Sequence, residues 1–191
     1  MTIQKEIEFK NLLEKKEFER LCKGVGITSN DFHSQTNTYF DTVDFKLRDA
    51  YMGFRLRVKG EHSELTLKAP GENLHTMIET TRRISTQERN EILRADTISP
   101  SMYEEFKQIE HATLKAFGSL RTNRAEIPCE NGLLVLDQSE YLGHTDYEVE
   151  FEATDVVSGQ RSFLALLEKF EIPKRNTPKK IARFMNAAKL K

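Results

Sequence analysis

Alternating apolar and polar residues run through much of the chain, and this period of two predicts β-strands. The alternation covers eight segments, at 3–10, 38–48, 51–59, 64–68, 76–84, 119–127, 133–138 and 146–153. Short turn sequences at Gly60 and at Asn131–Gly132 predict hairpins between neighbouring strands, and Gly143 marks a further turn. The pattern therefore predicts an antiparallel sheet of many strands.

Helical spacing of apolar residues interrupts these strands. Asn11 followed by Glu14 predicts a capped helix after the first strand, and Ser85 followed by Glu88 predicts another. Apolar residues across 163–170 predict a helix near the C-terminus, and Thr177–Pro178 is expected to open a last one. Many strands with interspersed helices indicate an α+β protein built on a barrel or a strongly curved sheet.

Composition narrows the class of protein. The 191 residues contain 29 Lys and Arg against 30 Asp and Glu, a net charge of -1. A balance this close argues against bulk attraction to nucleic acid or to a membrane surface. The chain has no apolar stretch of membrane-spanning length and no apolar region in its opening MTIQKEIEFK, and no linker divides it. We expect a cytoplasmic protein with a single domain over residues 1–191.

The polar positions of the strands are mainly charged, and the charges are sorted by strand. Acids recur at alternate positions 6 and 8 and again at 148, 150 and 152, whereas bases recur at 55, 57 and 59, with Lys68 nearby. Like charges repel, so such clusters persist mainly when a counter-charged ligand offsets them. Paired carboxylates suit a hard divalent cation such as Mg²⁺ or Mn²⁺, and paired Arg or Lys residues suit phosphate oxygens.

This sorting predicts a metal and polyphosphate site. We expect the charged face to line the inside of a closed sheet, with the apolar face packed outward against helices. The alternative is an ordinary amphipathic sheet with one solvated face. Lys179 and Lys180 add to the pattern, since positive charge at a helix N-terminus opposes the helix dipole. A bound anion would offset that charge, although a solvated lysine pair would also explain it.

Motifs across nearly the whole chain resemble those of the CYTH, or triphosphate tunnel metalloenzyme, superfamily, in particular its small single-domain bacterial branch. The opening residues 6–10, EIEFK, match the ExExK signature of that family. The other matching motifs follow in the same order: Thr38–Thr42, Leu47–Arg48, Phe54–Arg57, Leu65–Lys68, Leu120–Arg124, Leu134–Asp137, Tyr147–Glu150 and Lys180–Arg183.

The resemblance implies an eight-stranded antiparallel β-barrel, or tunnel, with a charged interior and helices packed outside. It implies hydrolysis of a small-molecule triphosphate with Mg²⁺ or Mn²⁺. Inorganic tripolyphosphate is the first expected substrate, and thiamine triphosphate or a nucleoside triphosphate comes next. The alternatives are an adenylyl cyclase of the same superfamily and a non-catalytic polyphosphate or nucleotide binder. No membrane or nucleic-acid partner is expected, and the oligomeric state stays open.

The resemblance also implies roles for individual residues. The expected metal ligands are Glu6, Glu8, Asp137, Glu148 and Glu150. The expected phosphate ligands are Lys10, Arg55, Arg57, Lys68, Arg83, Arg124 and Lys180. Arg82 is the alternative to Arg83, and Lys179 is the alternative to Lys180. Glu6, Glu8, Lys10 and Arg57 are the expected catalytic residues, and Glu79 and Glu152 are expected to support them.

Overall fold

A computed structural model describes residues 1–73, 75–109 and 113–189. The strands are β1 (Thr2–Leu13), β2 (His33–Asp41), β3 (Gly53–Lys59), β4 (His62–Pro70), β5 (Thr76–Ile84), β6 (Thr97–Ile98), β7 (Leu114–Cys129), β8 (Gly132–Tyr141) and β9 (His144–Ala153). The α-helices are α1 (Lys15–Val25), α2 (Lys46–Asp49), α3 (Thr86–Ala95), α4 (Val156–Lys169) and α5 (Lys180–Ala187). In the part of the chain that is described, no helix is long and apolar enough to cross a membrane.

The strands form one sheet in the order β2-β3-β4-β5-β1-β9-β8-β7-β6. A further pairing between β2 and β7 closes eight of these strands into an antiparallel barrel, and β6 is an extra strand beside β7. The predicted α+β barrel class is therefore confirmed. The predicted hairpins are also present, because β3 pairs with β4, β7 with β8 and β8 with β9, each across its short turn.

The described residues group into two compact units. The first unit contains Met1–Lys5 and Gln35–Leu120, and the second contains Glu6–Ser34 and Arg121–Lys191. Each unit has its own buried hydrophobic cluster.

In the second unit, the apolar face of the sheet packs against helices α1 and α4. Phe9, Leu136 and Phe151 from the strands share one buried cluster with Phe163 from α4 and Leu21 from α1, among others. The helix α4 comes close to the sheet at Gly159. A Cβ placed there would lie 2.3 Å from the Cβ of Ala153, so a larger residue would push the helix away.

In the first unit, the apolar face of β2, β3 and β4 packs against α2 and α3. Phe54, Leu56 and Leu65 are fully buried beside Leu47 of α2 and Ile92 of α3. The alternation predicted for 51–59 therefore holds, with one set of side chains in the core and the intervening charged set on the opposite face.

Three local predictions were wrong. Asn11 does not cap a helix, because β1 continues through it to Leu13, and Glu14 is the N-cap of α1. The strand predicted over 38–48 ends at Asp41, since the Asp41 carboxylate accepts hydrogen bonds from the backbone N–H groups of Thr42, Leu47 and Arg48 and so starts α2. Thr177–Pro178 precedes the last helix, which begins at Lys180 with Lys179 as its N-cap.

Candidate functional site

The charged face of the second unit is built by cross-strand pairing. Lys10 of β1 lies opposite Glu150 of β9, and Glu148 of β9 lies opposite Asp137 of β8. Arg124 of β7 lies opposite Asp137 on its other side. Residues directly opposite each other point to the same face of a sheet, so these five side chains share one face. It is the face away from α1 and α4.

Lys180 lies among three carboxylates, those of Asp137, Glu148 and Glu150, which we call the carboxylate cluster. Its Nζ atom is 2.8 Å from Asp137 Oδ2, 3.0 Å from Glu148 Oε2 and 2.5 Å from Glu150 Oε1. Lys180 is the first residue of α5, so its positive charge opposes the helix dipole, as predicted. In this structure the carboxylate cluster supplies the negative charge that offsets it.

The segment before α5 is tied to β1, which positions Lys180. The buried Asn11 side chain donates to Pro173 O at 3.0 Å and accepts from Arg175 N at 2.6 Å. The backbone N–H of Leu12 donates to Thr177 Oγ1 at 2.9 Å. These contacts connect residues more than 160 positions apart. They explain why an asparagine is needed in the middle of a strand.

Arg124 binds two members of the carboxylate cluster. Its Nε donates to Asp137 Oδ1 at 2.8 Å, and its Nη2 donates to Asp137 Oδ2 at 2.6 Å and to Glu150 Oε2 at 2.8 Å. The Arg124 guanidinium therefore donates to both oxygens of Asp137, and this bidentate geometry is the one in which Arg binds a carboxylate most strongly.

Burial and ion pairing shift the pKa values of Lys180, Glu150 and Lys10 in opposite directions, and the combined effect of ion pairing is larger. Burial alone would lower the pKa of Lys180, but Asp137, Glu148 and Glu150 raise that pKa well above its usual range. Burial alone would raise the pKa of Glu150, but Lys180, Arg124 and Lys10 hold it well below its usual range. The pKa of Lys10 is raised in the same way, because Glu8 and Glu150 outweigh the effect of burial. Lys180, Glu150 and Lys10 are therefore charged near neutral pH.

Glu148 is the member of the carboxylate cluster with an open oxygen. The residue is 1% exposed, and its Oε2 contacts Lys180 and also accepts from Arg183 Nη2 at 2.7 Å. Its Oε1 is buried and has no hydrogen-bond partner among the described residues. A buried carboxylate oxygen without a partner costs free energy, and a hard divalent cation would satisfy it.

The donor chemistry of the cluster thus fits Mg²⁺ or Mn²⁺, which prefer carboxylate oxygens. No three His, Cys, Asp or Glu side chains of the described residues are already grouped as a metal site. The oxygens of Asp137 and Glu150 are all in contact with Lys180 or Arg124. A metal ion would have to share these oxygens with the basic side chains.

The remaining predicted residues of the second unit lie near this cluster along the strands. Glu8 forms an ion pair with Lys10 and lies opposite Glu152, so Glu152 is on the charged face. Glu6 belongs to the same strand at the same parity. Burial and the charge of Lys10 lower the pKa of Lys179, whereas Glu8 and Glu6 oppose that shift. The contacts with the carboxylate cluster described above are those of Lys180.

The first unit carries a charged group of its own on β3, β4 and β5. Arg57 Nε donates to Asn37 Oδ1 at 3.0 Å, and its Nη1 is 3.6 Å from Glu64 Oε1. Arg55 Nη2 is 3.5 Å from Glu79 Oε1, which also forms an ion pair with Lys68. Glu79 therefore lies beside two predicted phosphate ligands.

The register distinguishes Arg83 from Arg82. Arg83 lies opposite Glu64, which in turn lies opposite Arg57, so Arg83 is on the charged face. Arg82 lies opposite the core residue Leu65, and its Nη1 donates to both oxygens of Glu105 at 2.9 and 3.0 Å. Arg82 thus has a partner on the other face of the strand.

Two residues of these charged groups were missed by the sequence reasoning. Asn37 orients Arg57 from the neighbouring strand, and nothing in the sequence pairs the two positions. Arg183 contacts Glu148 and follows Lys180 by three positions, a spacing that places both on one face of a helix. That spacing could have drawn attention to Arg183.

The chain is thus an antiparallel barrel whose strands carry paired acidic and basic side chains on one face. Residues 4–185 match the CYTH domain family, so the chain belongs to that family. It is 40% identical over 186 residues to the YjbK protein of Bacillus subtilis (strain 168), whose name proposes a triphosphatase. The match covers 96% of each chain.

Solved structures show the same fold. A Bacillus halodurans protein, described as a proposed adenylate cyclase, is 37% identical with a TM-score of 0.88, and the match covers 96% of this chain and 99% of that one. The Hippeastrum protein HpAC1, described as a proposed adenylyl cyclase with a dominant triphosphatase activity, has a TM-score of 0.77 over 95% of each chain. At 22% identity, the second comparison supports the fold alone.

Proposed function

We propose that this protein is a metal-dependent triphosphatase that hydrolyses a small linear triphosphate, with inorganic tripolyphosphate as the first candidate. The observation that carries the proposal is the buried set of paired charges in the second unit. There, Lys10, Arg124 and Lys180 lie against Asp137, Glu148 and Glu150 on one face of the sheet. Family membership and the name of the 40% identical YjbK protein support the same activity.

Phosphoryl transfer mainly requires positioning and neutralisation of charge. In the proposed reaction, water attacks the terminal phosphorus, the bond from that phosphorus to its bridging oxygen breaks, and orthophosphate and pyrophosphate leave. Arg124 and Lys180 would bind phosphate oxygens, since both are already held in place by carboxylates and need little reorganisation. Lys10 would do the same from β1.

The carboxylate cluster would hold Mg²⁺ or Mn²⁺, with Glu148 Oε1 as the oxygen that is open to it. When bound, the metal would supply positive charge to the phosphate oxygens in the transition state. Glu6 and Glu8 are proposed as further metal-side acids, and either could orient the attacking water. Glu152 is proposed to support the cluster through its charge. Burial lowers the pKa of Arg124, but Asp137, Glu150 and, to a smaller extent, Glu152 raise it above its usual range.

The basic residues of the first unit are proposed to bind phosphate as well, in accordance with the family resemblance. Arg57 is held by Asn37, and Arg55 Nε is buried without a hydrogen-bond partner among the described residues. A phosphate oxygen would satisfy that donor. Lys68 and Arg83 extend the basic row on the neighbouring strands, and Glu79 would position Arg55 and Lys68.

The proposal is tested by phosphate release from tripolyphosphate, thiamine triphosphate, ATP and GTP, each with Mg²⁺, with Mn²⁺ and with excess chelator. We expect release from tripolyphosphate that requires the metal. Glu150→Gln should lower turnover by about 10²-fold or more, because it removes a charge that holds Lys180 and Arg124. Glu140→Gln, an exposed acid on β8, is the matched control and should keep full activity.

The adenylyl cyclase alternative is favoured by the description of the 37% identical Bacillus halodurans protein. The ATP reactions are therefore also assayed for cyclic AMP and pyrophosphate. Cyclic AMP as the main product would replace the hydrolase proposal with a cyclase. Tight triphosphate binding with no product from any substrate would indicate a binding protein.

A further inference from the structure

The side chain of Arg183, on the last helix, donates three hydrogen bonds, one of them to the carboxylate cluster. Its Nη2 donates to Glu148 Oε2 at 2.7 Å, its Nε donates to Asp146 Oδ2 at 2.8 Å and its Nη1 donates to Pro178 O at 2.7 Å. The residue is buried. Neither the sequence motifs nor the proposed reaction gives it a role.

The carboxylate of Asp146 also holds the guanidinium. Asp146 accepts from the Tyr141 hydroxyl at 2.5 Å with the same oxygen, Oδ2, that binds Arg183. The hydrogen bonds therefore run from Tyr141 through Asp146 and Arg183 to Glu148. A guanidinium fixed in this way can impose one orientation on the carboxylate that it contacts.

Glu148 has the asymmetry that such an orientation would produce. Arg183 and Lys180 both contact Oε2, whereas Oε1 is buried with no hydrogen-bond partner among the described residues. If Arg183 were absent, the carboxylate could rotate and exchange its oxygens at Lys180. The open oxygen would then no longer have a fixed position.

We propose that Arg183 is a positioning residue, which fixes Glu148 through Oε2 so that Oε1 remains directed toward a divalent cation. The inference rests on the proposed metal-dependent function. Partners that orient metal-binding carboxylates typically change metal affinity by 10- to 100-fold when they are removed. A purely structural role, in which Arg183 only attaches α5 to the sheet, predicts a loss of stability without a change in metal affinity.

The test is a Mn²⁺ titration of the full chain without substrate, with free Mn²⁺ measured by electron paramagnetic resonance. Arg183→Met should weaken Mn²⁺ binding by about 10- to 100-fold, and Arg183→Lys should recover part of the loss because it keeps the charge but not the fork. Arg20→Met is the matched control. Arg20 donates to the carbonyls of Phe170 and Glu171, so its loss should affect stability and leave Mn²⁺ affinity unchanged.

A second pair of variants tests whether the effect passes through Glu148. In a Glu148→Gln background, Arg183→Met should cause little further loss of Mn²⁺ affinity, because the two positions act as one unit. Asp146→Asn weakens the anchor of Arg183 without altering α5, and it should reproduce part of the effect. If Arg183→Met does not fold, Mn²⁺ binding by Asp146→Asn still tests the positioning role of Arg183.

The outcomes separate this inference from the proposed function. Wild-type Mn²⁺ affinity in folded Arg183→Met and in Asp146→Asn would overturn the positioning role while leaving metal-dependent hydrolysis intact. An additive loss in the Glu148→Gln background would also overturn it. Absence of Mn²⁺ binding by the wild-type chain would contradict the proposed metal dependence itself, and the positioning role with it.

Discussion

Replacing Lys180 with methionine removes one charge from the centre of the carboxylate cluster while keeping most of the side-chain volume. Its ammonium lies within 3.0 Å of Asp137, Glu148 and Glu150. Breaking a buried ion pair by removing one partner costs about 3–5 kcal/mol. Each of the three carboxylates keeps a contact with Arg124 or Arg183, so we expect the lower end of that range, about 3 kcal/mol.

The assay is urea or thermal unfolding at pH 7, with and without Mg²⁺. For a chain of this length, a loss of about 3 kcal/mol corresponds to a melting temperature lower by roughly 6–12 °C. Mg²⁺ should stabilise Lys180→Met more than the wild type, because the divalent cation no longer competes with the ammonium. Lys174→Met, an exposed lysine in the same C-terminal segment, is the control and should change little. If Lys180→Met unfolds like this control, the cluster does not depend on Lys180 and the reasoning is refuted.

Three further predictions concern other charged pairs. Arg57→Ala should remove roughly 2–4 kcal/mol of transition-state stabilisation, measured as a lower kcat/KM for the triphosphate. An unchanged kcat/KM would remove Arg57 from the proposed mechanism. Glu17 accepts hydrogen bonds from Arg175, which lower its pKa more than burial raises it. The stability that Glu17 contributes should therefore be fully present above its unfolded pKa, near 4.3, and be lost as pH falls through the lower folded pKa. In urea unfolding, the difference between wild type and Glu17→Gln should shrink over that acidic range, and a difference that does not change with pH would contradict the assignment. The double variant of Arg124→Met with Asp137→Leu should fold with stability close to that of the wild type and have no triphosphatase activity, whereas Asp137→Leu alone should be strongly destabilised.

The faces of the strands could be predicted from sequence because one face of each is committed to a core. At Phe54 and Leu56 the side chains are fully buried, and Arg55 and Arg57 must then point the other way. A shift of one residue in register would exchange these faces, so the hydrophobic pattern fixes the register strongly. The hairpin turns could also be predicted from the sequence, since few residue types adopt the backbone conformations of short hairpin turns.

The end of the first strand could not be predicted, because the deciding contacts are distant in sequence. Asn11 and Glu14 have the spacing of a helix cap, and that local signal competes with continuation of the strand. Asn11 instead bonds to Pro173 and Arg175, which no local pattern reveals. The spacing of Arg183 from Lys180 places both on one helix face, but it does not show that the partners of Arg183 are Asp146 and Glu148 on another element.

The fold does not require the charged face, which supports the proposal that this face binds a ligand. Val135 of β8 lies opposite Glu150, on the same face as Lys10 and Asp137, and it is fully buried. An apolar side chain is therefore accommodated in the same row of the sheet. Replacing buried ion pairs by well-packed apolar residues is often neutral or stabilising, so stability alone gives no reason to keep Arg124 paired with Asp137. A ligand that carries many negative charges and arrives with a divalent cation does give such a reason, since it needs both sets of charges in place before it binds.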